Sequence, residues 1–127
     1  MATDFSGNKN GPHLDLPEAL GKIADASAMR DMLGMLADLL AQDMPKIQQA
    51  LLNQNVVVAG RLLHSLKGCM PIFCTAPICD QVALVEQYAK LGDVSRAQQA
   101  YAVLAPELSA LMLEIQLHLA PPVATPM

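Results

Sequence analysis

His64 sits among residues whose types and spacing suit nucleophilic chemistry on an anionic group. Histidine is partly neutral near pH ~7, and a neutral ring nitrogen can attack phosphorus. On a helix, Arg61 at i−3 and Lys67 at i+3 lie to either side of the imidazole, close enough to bring cationic donors to a phosphoryl group carried on it. Gly60 at i−4 and Gly68 at i+4 share the ridge of His64 and carry no side chain. Each glycine inside a helix costs about 1 kcal/mol relative to alanine, so two of them around one histidine ask for a reason beyond helix formation. Access for a partner macromolecule is such a reason. Leu63, Leu66, Met70 and Phe73 fall in a sector opposite His64, since each residue turns the helix by about 100°. That sector is the expected core face, and His64 is expected to point outward.

The other histidines lack such surroundings. His13 falls in the N-terminal stretch and His118 at the end of the last helix, and both read as ordinary surface residues. His64, Cys69, Cys74 and Cys79 recur every five residues, which invites a zinc reading. Five residues rotate a helix by about 140°, so these ligands would fan around the axis unless the chain broke at Pro71 and Pro77. No metal and no cofactor is therefore expected, and the cysteines read as reduced small hydrophobes. A glycine-rich nucleotide loop is missing from the sequence, so no kinase activity with ATP is expected.

The elements that must hold these groups follow from composition and periodicity. Apolar residues make up 53% of the 127 and aromatics 3%, with no Trp, so the interior must be Leu, Ala, Met, Val and Ile, which suits packed helices. The formal charge is −4, and no basic run could neutralise successive phosphates, which excludes nucleic acid as a partner. Residues 1–12 lack the apolar stretch of a secretory leader, and the uninterrupted apolar runs fall short of the roughly 18 residues that span a bilayer. A cytoplasmic protein without a membrane partner is the expectation. Residues 1–13 and 120–127 read as flexible tails around one domain, 14–119.

Within that domain apolar residues recur at three- and four-residue steps, with no sustained alternation. A short first helix is expected over 16–24, with Pro17 in its first turn. A second, capped by Asp25 or Ser27, carries Met29, Met32, Leu33, Leu36, Leu39 and Leu40 and continues past Pro45, with a kink, to 51 or 52. Met29, Met32 and Met35 are expected mostly in the core, with the remainder forming part of an apolar docking patch; Asp31, Asp38 and Lys46 mark a solvated face. Asn53-Gln54-Asn55 makes the turn into a third helix over 56–73. A fourth covers 78–91, Gly92-Asp93 stops it, and a last helix over 95–119 is kinked at Pro106. Short connections between long amphipathic helices predict an all-α fold, an up-down antiparallel four-helix bundle with a short extra N-terminal helix.

The pentapeptide His64-Ser65-Leu66-Lys67-Gly68 resembles the active-site motif of histidine-containing phosphotransfer domains, the HPt family of phosphorelays. The likeness runs from about residue 14 to 119 and takes in Asp43-Met44-Pro45, the polar turn before the histidine helix, and Gly92-Asp93. It implies a helical bundle whose exposed histidine docks a receiver domain, of a response regulator or hybrid histidine kinase, and exchanges phosphoryl with its aspartate. By that resemblance His64 is the phosphoacceptor, Lys67 contacts the phosphoryl group and Gly68 keeps the approach open. Glu86, or Gln87 after a small register change, matches the family's Gln or Glu that reaches the histidine. The chain departs from the pattern at Pro71, at Ile72, and at Cys74 in place of a second glycine. Those departures leave room for a second reading, an HPt-like adaptor that binds a kinase or receiver without carrying phosphate.

Overall fold

The computed structural model describes residues 13–16, 19, 21 and 25–119. Among these, four helices carry the chain: α1 Ala26–Leu52, α2 Val56–Cys69, α3 Ala76–Lys90 and α4 Val94–Leu119, with a 3-10 turn, Met70–Ile72, between α2 and α3. Both α1 and α3 pack against α2 and α4. The short connections make sequential helices antiparallel, giving an all-α up-down bundle. Most of the short helix expected over 16–24 lies outside the described residues; Leu16 and Ala19 are buried. The expected tails 1–12 and 120–127 lie outside them too.

Local chemistry sets each boundary. Asp25 caps α1, its carboxylate accepting from the Ser27 amide at 3.0 Å. Asn53 closes α1, Gln54 turns through φ 60°, and Asn55 starts α2 by accepting the Val58 amide at 3.2 Å. The α-helical part of α2 ends at Cys69, four residues short of the expected 73. Pro71 has no N–H to give the carbonyl four residues back, and its ring crowds that position. The chain tightens instead, and Phe73 and Cys74 both donate to the Met70 carbonyl, at 3.0 and 2.9 Å. Thr75 caps α3, which starts at Ala76, two residues before the expected 78, because Pro77 is tolerated in a first turn. Gly92, at φ +75°, makes the stop before α4.

The core is the stripe that periodicity predicts: Leu33, Leu36, Leu40 and Ile47 of α1 meet Leu63 and Leu66 of α2, Val82 and Val85 of α3, and Leu104, Leu108, Leu111 and Ile115 of α4. The helices run through Pro45 and Pro106. Beside Pro45 the Tyr101 hydroxyl donates to the Met44 carbonyl at 3.2 Å and ties α4 to α1, while burial pushes its phenol up to about 12. Tyr101→Phe should lower the unfolding free energy by about 1 kcal/mol, read from denaturant midpoints. Arg30 reaches the His118 and Leu119 carbonyls at 3.2 and 2.9 Å, satisfying acceptors that the end of α4 leaves open.

One expectation needs correcting here. His13 is buried, not a surface residue: its Nε2 pairs with Glu107 Oε1 at 3.0 Å, and its amide and that of Leu14 donate to Glu114 Oε1, each at 3.2 Å. Backbone bonds from Asp15 to the Phe73 carbonyl and from Thr75 to the His13 carbonyl, 2.7 and 2.8 Å, hold this segment against the α2–α3 connection. By length and composition α4 could cross a membrane, with a mean hydropathy of 1.3 in its most apolar window, but its stripe from Ala97 to Ile115 serves the bundle core.

Candidate functional site

Residue 64 falls on α2 with Leu63 and Leu66 turned into the core, and this orientation leaves the His64 side chain 66% exposed. Across the groove, Glu86 falls on the α3 face that carries Val82, Val85 and Ala89, so its side chain is only 2% exposed. Its Oε2 lies 2.8 Å from His64 Nδ1 and 3.1 Å from Lys90 Nζ, and its Oε1 lies 2.7 Å from Lys67 Nζ. One carboxylate thus gathers three donors from two helices.

A buried carboxylate is disfavoured as an anion unless it is paired. Burial alone would push Glu86 up, but hydrogen bonds from Lys67, Lys90 and His64 hold it down at about 2. Glu86 is therefore an anion near neutral pH and can only accept. His64 Nδ1 must then be the protonated nitrogen, which leaves the lone pair of the neutral ring on Nε2, with no partner among the described residues. This tautomer is the nucleophilic arrangement: one nitrogen anchored, the other free.

The surroundings separate the two ridge glycines. At Gly68 an added Cβ would meet nothing within 4 Å, so the space beside that turn is open. Gly60 is buried, and its Cβ would touch that of Ala89 at 3.5 Å. That is an ordinary van der Waals distance, so the α2–α3 packing alone does not demand a glycine there. Arg61 is exposed and lines an open cleft of about 460 Å³ with His64, Gly60, Glu86 and Lys90, and it has no ion-pair partner among the described residues. Gln87 is exposed beside the neighbouring cleft, and the carboxylate that meets the imidazole is that of Glu86.

On the other side of α2 a mostly apolar cleft of about 320 Å³ is lined by Met32, Met35, Leu39, Gly68, Cys69 and Ile72, among others. The methionine stripe divides as its helical positions dictate: Met29 is buried, Met32 half-buried and Met35 69% exposed in this cleft. Asp31, Asp38 and Lys46 are exposed. The cysteines do not gather around His64. Cys69 is exposed, and Cys74 and Cys79 share a hydrogen bond that, with burial, holds the Cys74 thiol well above its ordinary range.

Reading the sequence for chemistry overlooks Lys90 and the surroundings of His13. Lys90 carries a signal in its i+4 spacing from Glu86, the spacing of a helical ion pair. The partners of His13 lie about a hundred residues away, at separations of 100 and 101 for its segment's bonds to Glu114, and no local pattern announces them.

No curated protein and no solved structure matches the chain. A family model described as the Hpt domain matches residues 31–117, from the second turn of α1 almost to the end of α4. With most of the bundle matched, including the histidine helix and the Glu86 helix that faces it, the chain belongs to the Hpt domain family.

Proposed function

We propose that this chain is a histidine phosphotransfer protein that relays a phosphoryl group between receiver-domain aspartates of a two-component phosphorelay, through His64. It works in the cytoplasm, without an ATP-dependent kinase activity of its own. The observation that carries this reading is the pairing of His64 Nδ1 with the buried Glu86 at 2.8 Å, which leaves Nε2 of an exposed ring as the free nucleophile.

The Nε2 lone pair attacks the phosphorus of a receiver's acyl phosphate. A P–N bond forms as the P–O bond to the aspartate breaks, and the carboxylate departs with the electron pair. The Nδ1 proton stays in place, so the ring gains positive charge as the bond forms, and the Glu86 carboxylate faces that charge. Attack by a second receiver's carboxylate on the same phosphorus reverses the step and restores the neutral ring. Lys67 and Arg61 offset the charge of the phosphoryl oxygens. Gly68 leaves the route open, and the apolar cleft around Met35 and Ile72 seats the receiver beside the ring.

The test is to incubate the protein with a radiolabelled phospho-receiver. Acid-labile, alkali-stable label should appear on the wild type, be absent from a folded His64→Gln variant, and not form from ATP alone. Label that survives in His64→Gln would overturn the assignment. Receiver binding that persists in His64→Ala, with no label on the wild type, would return the adaptor reading.

A further inference from the structure

Lys90 is the one member of the Glu86 cluster to which the phosphocarrier reading gives no task. Its Nζ lies 3.1 Å from Glu86 Oε2, the same oxygen that accepts from His64, while Lys67 sits on Oε1. Its side chain is 62% exposed, against 38% for Lys67. Glu86 and Lys90 line both open clefts at this end of the α2–α3 groove, one containing His64 and the other Lys67.

This arrangement bears on a difficulty in the chemistry. Lys67 cannot neutralise Glu86 and a new phosphoryl group equally at once. A phosphoryl group on His64 brings about two negative charges within a few ångströms of a buried carboxylate. If Lys67 turned to the phosphoryl oxygens and Lys90 were absent, the buried carboxylate would keep only the His64 Nδ1–H, on a ring that becomes cationic only as the P–N bond forms, and would meet the incoming group under-neutralised. It would also repel the incoming group.

We propose that Lys90 is a positioning residue that holds Glu86 as an anion when Lys67 transfers to the phosphoryl group, so that Glu86 keeps its grip on His64 Nδ1 throughout transfer. The inference rests on the carrier reading. The balance of the step is that given above: the P–N bond forms as the P–O bond breaks, and no proton leaves Nδ1. What Lys90 adds is constancy of charge, since one cation always faces Glu86 while the other is free to move. It touches neither phosphorus nor the receiver, and it acts through the carboxylate.

A double-mutant cycle on the full chain tests this, with label transfer from a phospho-receiver as the rate and binding of the unphosphorylated receiver measured separately. Lys90→Met should slow the transfer step by about 10-fold, the scale of one charge interaction of ~1.4 kcal/mol, with receiver affinity unchanged and Lys90→Arg close to wild type. In a Glu86→Gln background the same Lys90→Met change should have no further effect. A readout without phosphate accompanies it: the carboxyl carbon of Glu86, followed by NMR, should titrate higher in Lys90→Met than its value of about 2 in the wild type. An equal loss in both backgrounds, or weakened receiver binding, would make Lys90 a direct contact and overturn the proposal. So would an unchanged rate in Lys90→Met beside a labelled wild type. A wild type that takes no label fails the carrier reading itself, which is a different result.

Discussion

Gly68→Gln is expected to melt no lower than the wild type yet to accept phosphoryl from a receiver about 100-fold more slowly, the scale on which small displacements of reacting groups act. The two halves of this expectation come from one observation. An added Cβ at Gly68 meets nothing within 4 Å, so the folded chain has room for the substitution. The helix gains up to about 1 kcal/mol on losing a glycine. On the proposed function, the same open space is where the phosphorylated loop of a receiver comes within bonding distance of Nε2. Thermal melts and transfer rates measured on the same preparation decide it. A rate that stays at the wild-type level would mean that partners reach the ring by another side and that Gly68 is incidental.

The second large effect belongs to Glu86→Gln and is read against pH. The Glu86 carboxyl is held at about 2, below its ordinary 4.5, so the folded state resists its protonation more than the unfolded chain does. Its contribution to stability is therefore complete above the unfolded value and is lost as pH falls through the folded one. Between pH 4.5 and 2 the wild type should lose on the order of 3 kcal/mol from this group. Glu86→Gln should lack that component of the acid slope, because an amide does not titrate. At neutral pH the amide can still accept from Nδ1 but cannot offset the positive charge that the ring acquires, so transfer should slow by roughly 10-fold. Denaturant midpoints from pH 6 to 2 check the first part and label transfer the second; parallel acid slopes for the two proteins would remove Glu86 from its assigned role.

These two positions differ in how they could be read from the chain. Gly68 was legible because its meaning is local: one turn from His64 on the same ridge, it shapes the space beside the ring whatever the rest of the bundle does. Gly60 has the same spacing on the other side, but it is buried, and its surroundings include Ala89, a residue of another helix, 3.5 Å from where its Cβ would be. Glu86 lay between. Its helical register was evident from the neighbours Val82, Val85 and Ala89, but only the packing of α3 on α2 distinguishes it from Gln87, because one residue changes a helical position by about 100°.

The same division runs through the fold. Helix identity and core face are set by short-range forces and apolar periodicity, so the bundle, the turns at Asn53 to Asn55 and Gly92, and the outward direction of His64 were all accessible from residue order. Pro71 is visible in the residue order too, and it acts earlier than a helix running to residue 73 would allow. A missing donor and a crowded carbonyl end the α-helix at Cys69, and the chain goes on as a 3-10 turn.

By itself the sequence determined which helices form, which faces they bury and which histidine stands exposed beside a cation and a glycine. Tertiary structure alone decided that Glu86 is an anion shared by His64, Lys67 and Lys90, and that His13 is buried against Glu107. The physical reason is that periodicity is encoded over one or two turns, whereas the charge state of a group depends on burial and on donors from other helices, and these exist only once the chain has closed on itself.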